Sequence, residues 1–186
     1  MDNKTNPTQI TNSTTPQSNI TYSGEVTIKV MQGKKEISRL SGHNAGKIDL
    51  FKGICYYLAG YADNSYIPAY IKASTATTSD DSEPTDFDAL NAPAAITGRR
   101  AEKSDGKWQS IYTAIITYSN LINPGSTANP NPITYLALYS NDKITQLATI
   151  KLADMGEGSW DGNIIQGSSV IVEWRLSIDN KEVTSN

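Results

Sequence analysis

The sequence predicts an all-β fold, an antiparallel β-sandwich of jelly-roll or immunoglobulin-like kind with one helix and an extended N-terminal arm. Three observations carry this. Apolar residues alternate with polar ones in several short runs, turn-forming residues separate those runs, and an almost wholly polar segment precedes them.

Residues 1–22 are almost wholly Asn, Thr, Ser, Gln and Pro, with Ile10, Ile20 and Tyr22 as the sizeable apolar side chains. Such a segment buries too little surface to offset its ordering entropy, so it is expected as an arm that must borrow a neighbour's surface. From residue 23 onward the texture is that of a single folded domain, 23–186. Val26, Ile28 and Val30 alternate with Thr27 and Lys29, the period of a strand with one buried face. Gly33-Lys34 signals a turn, and Glu36 to Leu40 reads as the hairpin partner.

Between Asn44 and Ala59 the period changes. Ile48, Phe51, Ile54 or Cys55, and Leu58 recur at spacings of three and four, which predicts a helix with Asn44 as its N-cap and Gly60 as its stop. Ile67 to Ala73 returns to alternation, with Pro68 placing it at a sheet edge or strand start. Residues 74–93 are polar and acidic and read as a long surface loop. Strands then follow at Ala95–Glu102, Lys107–Tyr118, Ile133–Ser140, Ile144–Leu152 and Ser168–Ile178. The last is the clearest: Val170, Val172, Trp174, Leu176 and Ile178 lie on one face, with Glu173, Arg175, Ser177 and Asp179 between them, so Trp174 is expected in the core.

Composition narrows the function classes. With 38% hydrophobic and 19% charged residues, the chain is less charged than an average soluble domain and rich in neutral polar side chains, a surface suited to protein contacts. A net charge of -3 with scattered basic residues argues against a nucleic-acid surface; Lys34-Lys35 and Arg99-Arg100 with Lys103 read as solvated turns or strand ends. No long apolar run predicts a membrane span, and the N-terminus lacks the pattern of a secretory signal, so assembly in a cytosol is expected. The single cysteine forbids an intramolecular disulfide.

No reactive constellation emerges from the spacing. His43 is the one histidine and reads as a structural hydrogen-bonding residue near the helix entrance. Cys55 falls on the apolar face of the expected helix, where a thiol behaves as a small inert hydrophobe. The acidic run Asp80, Asp81, Glu83, Asp86 and Asp88 does not match an EF-hand and is interrupted by Pro84, so it reads as a solvated loop rather than a cation site. A hydrolase would need two carboxylates brought together, and no pair stands out. No catalytic, cofactor-binding or metal-binding residue is therefore nominated. Tyrosine is the other notable feature: Tyr56, Tyr57, Tyr61, Tyr66 and Tyr70 crowd one region and, with Ile10, Ile20 and Tyr22 of the arm, form the candidate interface set.

Several segments together carry a resemblance: Gly24-Glu25-Val26-Thr27-Ile28, His43-Asn44-Ala45-Gly46, Tyr135-Leu136-Ala137-Leu138-Tyr139, Leu147-Ala148-Thr149-Ile150 and Val172-Glu173-Trp174-Arg175-Leu176-Ser177-Ile178. This succession resembles the small β-sandwich virion proteins of tailed bacteriophages, of head auxiliary, decoration or head-fibre type, as in crAss-like phages. The resemblance implies a non-enzymatic subunit without cofactors. It would bind the major capsid protein or other virion subunits and stabilise the shell through its domain and arm. The alternative it implies is a head-fibre or tail-fibre adaptor, trimeric, binding a partner protein or a host glycan.

Overall fold

The structure, a computed structural model, describes residues 18–46, 48–60, 66–76, 83–104, 106–121 and 130–182. Its strands are β1 (Ser18–Gln32), β2 (Lys35–Gly46), β3 (Pro68–Ser74), β4 (Ala94–Ser104), β5 (Lys107–Thr117), β6 (Tyr135–Ser140), β7 (Gln146–Lys151), the two-residue β8 (Glu157–Gly158) and β9 (Ser168–Glu182). Helix α1 (Ile48–Leu58) follows β2, and a single turn, α2 (Tyr118–Leu121), follows β5.

Every strand pairing is antiparallel, as expected, but the ladder does not divide into two separate sheets. It runs β1-β9-β5-β4-β3-β6-β7-β2, and β2 then pairs back onto β1, so a single curled sheet closes on itself. Two strands make the corners. β2 pairs with β1 through Asn44 and with β7 only at Ala45 and Gly46; β4 pairs with β3 at Ala94 and Ala95 and then, past a bulge between Ile96 and Gly98, with β5. Strands that pass from one wall to the other in this way bridge the sandwich edges that would otherwise lie open.

The core forms in rungs because inward residues lie opposite one another. In one wall Val26, Trp174 and Tyr112 form a rung, followed by Ile28, Val172 and Ala114, then Val30, Val170 and Ile116. In the other, Ile71, Leu138 and Ala148 align, as do Ala73, Leu136 and Ile150. Apart from the half-buried Tyr112, all of these are buried, and Trp174 is 0% exposed, as its place in the alternation predicted. Outside the first wall the same alternation exposes charge. Glu173 receives Lys29 at 3.2 Å and Arg175 at 3.2 Å, with Arg100 at 4.0 Å, so a carboxylate on the central strand ties its neighbours together.

Four expectations change. The helix starts at Ile48, not after an Asn44 cap, because β2 continues through Asn44, which lies opposite Gly24; a Cβ at Gly24 would sit 1.8 Å from Asn44 Oδ1, so only glycine permits that close crossing. Cys55 is exposed rather than inward, since Leu50 takes the buried position and Cys55 lies off that face. The expected surface loop is stitched to the domain where it is described: Ala89 N–H donates to Ala73 O at 3.1 Å, and Phe87 and Leu90 are buried. Finally, β1 begins at Ser18, four residues before the expected end of the arm at 22, because the β1–β9 register continues to Ser18 opposite Glu182.

The β6–β7 hairpin shows how one side chain fixes a turn. The Asp142 carboxylate accepts from Ile144 N–H and Thr145 N–H, each at 2.8 Å, from the Thr145 hydroxyl at 2.6 Å and from the Ser140 hydroxyl. Lys143 between them adopts φ 62°, a strained conformation that this network holds. Desolvation pushes the Asp142 carboxyl up, but the Ser140 and Thr145 hydroxyls and the two amides outweigh it and hold it well below the usual carboxylate range. A lowered folded value means that this stabilisation is present above the unfolded value near 3.8 and is lost as the pH falls through the folded one. Asp142→Ala is expected to cost about 1–2 kcal/mol at neutral pH. Thermal melts of both proteins between about pH 5 and 2 should show that gap narrowing with acid; a gap of constant size would refute the assignment.

Candidate functional site

The candidate interface residues do not form one patch. Ile10 and Tyr61 lie outside the described residues, and Ile20, Tyr22 and Tyr57 contribute backbone to β1 and α1. The rings of Tyr56 of α1 and Tyr66 pack at a tilt of 43° with centroids 5.5 Å apart, and Lys52 Nζ lies 4.8 Å from the Tyr66 ring centre and 5.9 Å from that of Tyr56. Helical spacing explains half of this contact, since Lys52 and Tyr56 are four residues apart on one face.

Tyr70 belongs elsewhere, on the outer face of β3 and β6. There Phe87, Tyr135, Ala137 and Tyr139 form a small apolar cluster outside the main core, with Tyr70 packed against it. Strand pairing places Tyr70 beside Tyr139 and Lys72 beside Ala137. Lysines lie over the rings: Lys72 on Tyr139 at 4.6 Å, Lys143 on Tyr70 at 5.0 Å and Lys151 on Tyr135 at 5.9 Å. Burial, then the nearby Asp88, Glu83 and Asp86 carboxylates, push the Tyr139 phenol up, so it stays a neutral donor. Phe87 and the Lys72–Asp88 pair at 3.5 Å close the acidic segment over this face.

Tyr135, Ala137 and Tyr139 form the outward row of β6. Its outer face is buried too, because Phe87 packs against it; the unbroken apolar run Tyr135 to Tyr139, without polar alternation, was the local signal.

Beside this cluster lies a cleft of about 340 Å³ lined by Ala76, Ile133, Thr134, Tyr135, Lys151, Leu152, Ala153, Trp160 and Asp161. Its walls are cross-tied. Thr134 N–H donates to Ser74 O at 2.9 Å and its hydroxyl to Ala76 O at 2.7 Å, while Leu152 N–H donates to Thr134 O at 2.9 Å. The loop carrying Trp160 is fixed by its own bonds. Trp160 Nε1 donates to Asn163 O at 2.8 Å, and Asp161 accepts from Asn163 N–H at 3.0 Å and from its side-chain amide at 2.7 Å. Those bonds from Asn163 hold the Asp161 carboxyl below its usual range, so it is ionised at neutral pH. Trp160, Asp161 and Gly162 follow one another in the stretch between the expected strands Ile144–Leu152 and Ser168–Ile178, to which the sequence assigned no role; the adjacent Trp and Asp were the available signal.

His43 is exposed on β2, opposite Glu25. Among the described residues no group of three or more His, Cys, Asp or Glu side chains is placed to hold a metal ion, and no helix is long and apolar enough to cross a membrane. No family model matches the chain, and no curated protein or solved structure is significantly similar to it. The class is therefore set by the fold alone, a curled all-antiparallel β protein.

Proposed function

We propose that this chain is a non-catalytic subunit packed into a larger assembly, an auxiliary or decoration protein on the head of a tailed phage that binds the capsid shell after assembly in the bacterial cytoplasm. The observation that favours it is the reach of β1 and β9. They pair along their whole length from Ser18–Glu182 to Gln32–Ser168, about 50 Å at ~3.4 Å per residue. β2 joins β1 only from Gly24 onward, and β5 joins β9 only up to Ser177. Residues 18–22 and 178–182 therefore project as a two-stranded ribbon with no further ladder partner among the described residues.

A ribbon of this kind offers unpaired backbone N–H and C=O groups along both edges, which a neighbouring subunit can extend by strand addition. The β4–β5 hairpin ends at the same side, where Trp108 is 66% exposed, and an exposed tryptophan is a frequent anchor of protein contacts. The described end of the expected arm thus pairs within its own domain, and the attachment role passes from a loose strap to a structured projection. A fibre adaptor is the second reading, favoured by attachment through one end of the molecule.

Purified particles of the phage encoding this chain should contain it in fixed ratio to the major capsid protein. A shortened chain running from Ser23 to Ser177 should fold, by circular dichroism, and fail to enter particles. Absence from particles would overturn the proposal, and a stable trimer in solution would favour the adaptor over the decoration protein.

A further inference from the structure

We propose that the cleft between β6, β7 and the Trp160 loop binds a short carbohydrate, a mono- or disaccharide unit that stacks on Trp160 and is gripped through its hydroxyls by Asp161. This is independent of the assembly reading, which rests on the opposite features of β1 and β9.

A pyranose ring presents a patch of C–H groups on one face and a rim of hydroxyls. Its receptor therefore needs a fixed flat apolar surface beside a fixed polar acceptor. The cleft supplies both from adjacent residues. Trp160 is held by its indole N–H on Asn163 O, so its ring plane is set before any ligand arrives. Asp161 is held by the two bonds from Asn163, one to each oxygen. Each carboxylate oxygen has a second acceptor position, so a pair of neighbouring hydroxyls can donate to it. Because the same Asn163 fixes both residues, the site is pre-organised and little ordering is lost on binding.

The remaining lining fits the same ligand class. Ile133 and Leu152 form an apolar floor, both buried, while Thr134, Tyr135 and Lys151 bring polar atoms to the walls. A volume of about 340 Å³ lies at the small end of the ~300–1,000 Å³ typical of ligand sites, which selects a short unit over a long one. Phosphate ligands are disfavoured because the Asp161 charge offsets that of Lys151, which leaves the lining without net positive charge. An acyl chain would strip water from the Asp161 charge and offer it no donor in return, a cost that sugar hydroxyls avoid.

The test is titration of the ¹⁵N-labelled protein with cellobiose, lactose and N,N′-diacetylchitobiose, with decanoate as the apolar rival. The three tryptophans, Trp108, Trp160 and Trp174, give three indole signals, and Trp160→Phe assigns the relevant one. At least one disaccharide should shift the Trp160 indole and the Asn163 amide saturably in the millimolar range, leaving Trp108 and Trp174 in place. Trp160→Ala should abolish the saturable shift of the Asn163 amide. Asp161→Asn keeps one oxygen to accept the Asn163 backbone N–H and should leave the fold intact by circular dichroism, yet weaken binding about tenfold, the scale of one lost charge-assisted contact. The proposal is overturned if none of the three sugars perturbs Trp160, if Asp161→Asn binds as tightly as the parent, or if decanoate saturates the cleft more tightly than every sugar.

Discussion

Trp174→Ala is expected to destabilise the protein by about 3–5 kcal/mol, the usual cost of removing a fully buried large aromatic side chain. Trp174 is 0% exposed on the central strand of its wall, with Val26 on one side and Tyr112 on the other. Those neighbours are fixed by backbone ladders on both sides and cannot collapse far into the vacated space. At this chain length about 2–4 °C accompanies each kcal/mol, so the melting temperature should fall by roughly 6–20 °C. Trp174→Phe is the informative companion. The indole Nε1 finds no acceptor among the described residues, so the tryptophan carries an unsatisfied buried donor that costs about 1–3 kcal/mol. Phenylalanine loses volume but sheds that donor, and it should retain more than half of the stability that alanine forfeits. Denaturant titration followed by circular dichroism measures both; an alanine variant within about 1 kcal/mol of the parent would remove Trp174 from the centre of the core.

Gly162→Ala should be strongly damaging for so small a change. Gly162 has φ +82°, and a Cβ there would stand 2.0 Å from Ile133 O, while its own carbonyl accepts Ile133 N–H at 2.9 Å. The substitution combines a left-handed conformation, about 1–2 kcal/mol for a residue with a side chain, with a clash against backbone that can be relieved only by moving the loop. Gly167 separates the two contributions, since it has the same φ of +82° with nothing within 4 Å of the added carbon. Gly167→Ala should therefore cost only the conformational share of about 1 kcal/mol, and Gly162→Ala roughly 3 kcal/mol. Gly162→Ala should also displace Trp160, visible as a moved indole resonance. Equal melting temperatures for the two variants would show that the loop is not clamped against Ile133.

The strands were legible because their alternation records one wet face and one dry face. Val170 to Leu176 and Val26 to Val30 lie in the structure as the period-two rule places them. The helix was legible in kind and misplaced at its start, since Asn44 has the chemistry of a cap and only pairing with Gly24 keeps it in a strand. Of the candidate interface, Tyr56 and Tyr66 do meet, but Tyr70 joins a different cluster. Crowding along the chain reports proximity within one element, and here the polypeptide turns between them. The cleft was not legible, because its walls come from residues 76, 133–135, 151–153 and 160–161 and meet only when β6 and β7 are folded beside the Trp160 loop.

By itself the sequence determined that this is an all-β, antiparallel protein with Trp174 inside, because hydrophobic periodicity is a local property that every strand carries on its own. The tertiary structure alone decided that the walls close into one curled ladder, that β1 and β9 outrun their neighbours, and that Trp160 and Asp161 border a cleft. Those are matters of which backbone edge finds which partner and over what length, and edge hydrogen bonds are made by groups that every residue shares, so no side-chain pattern announces them.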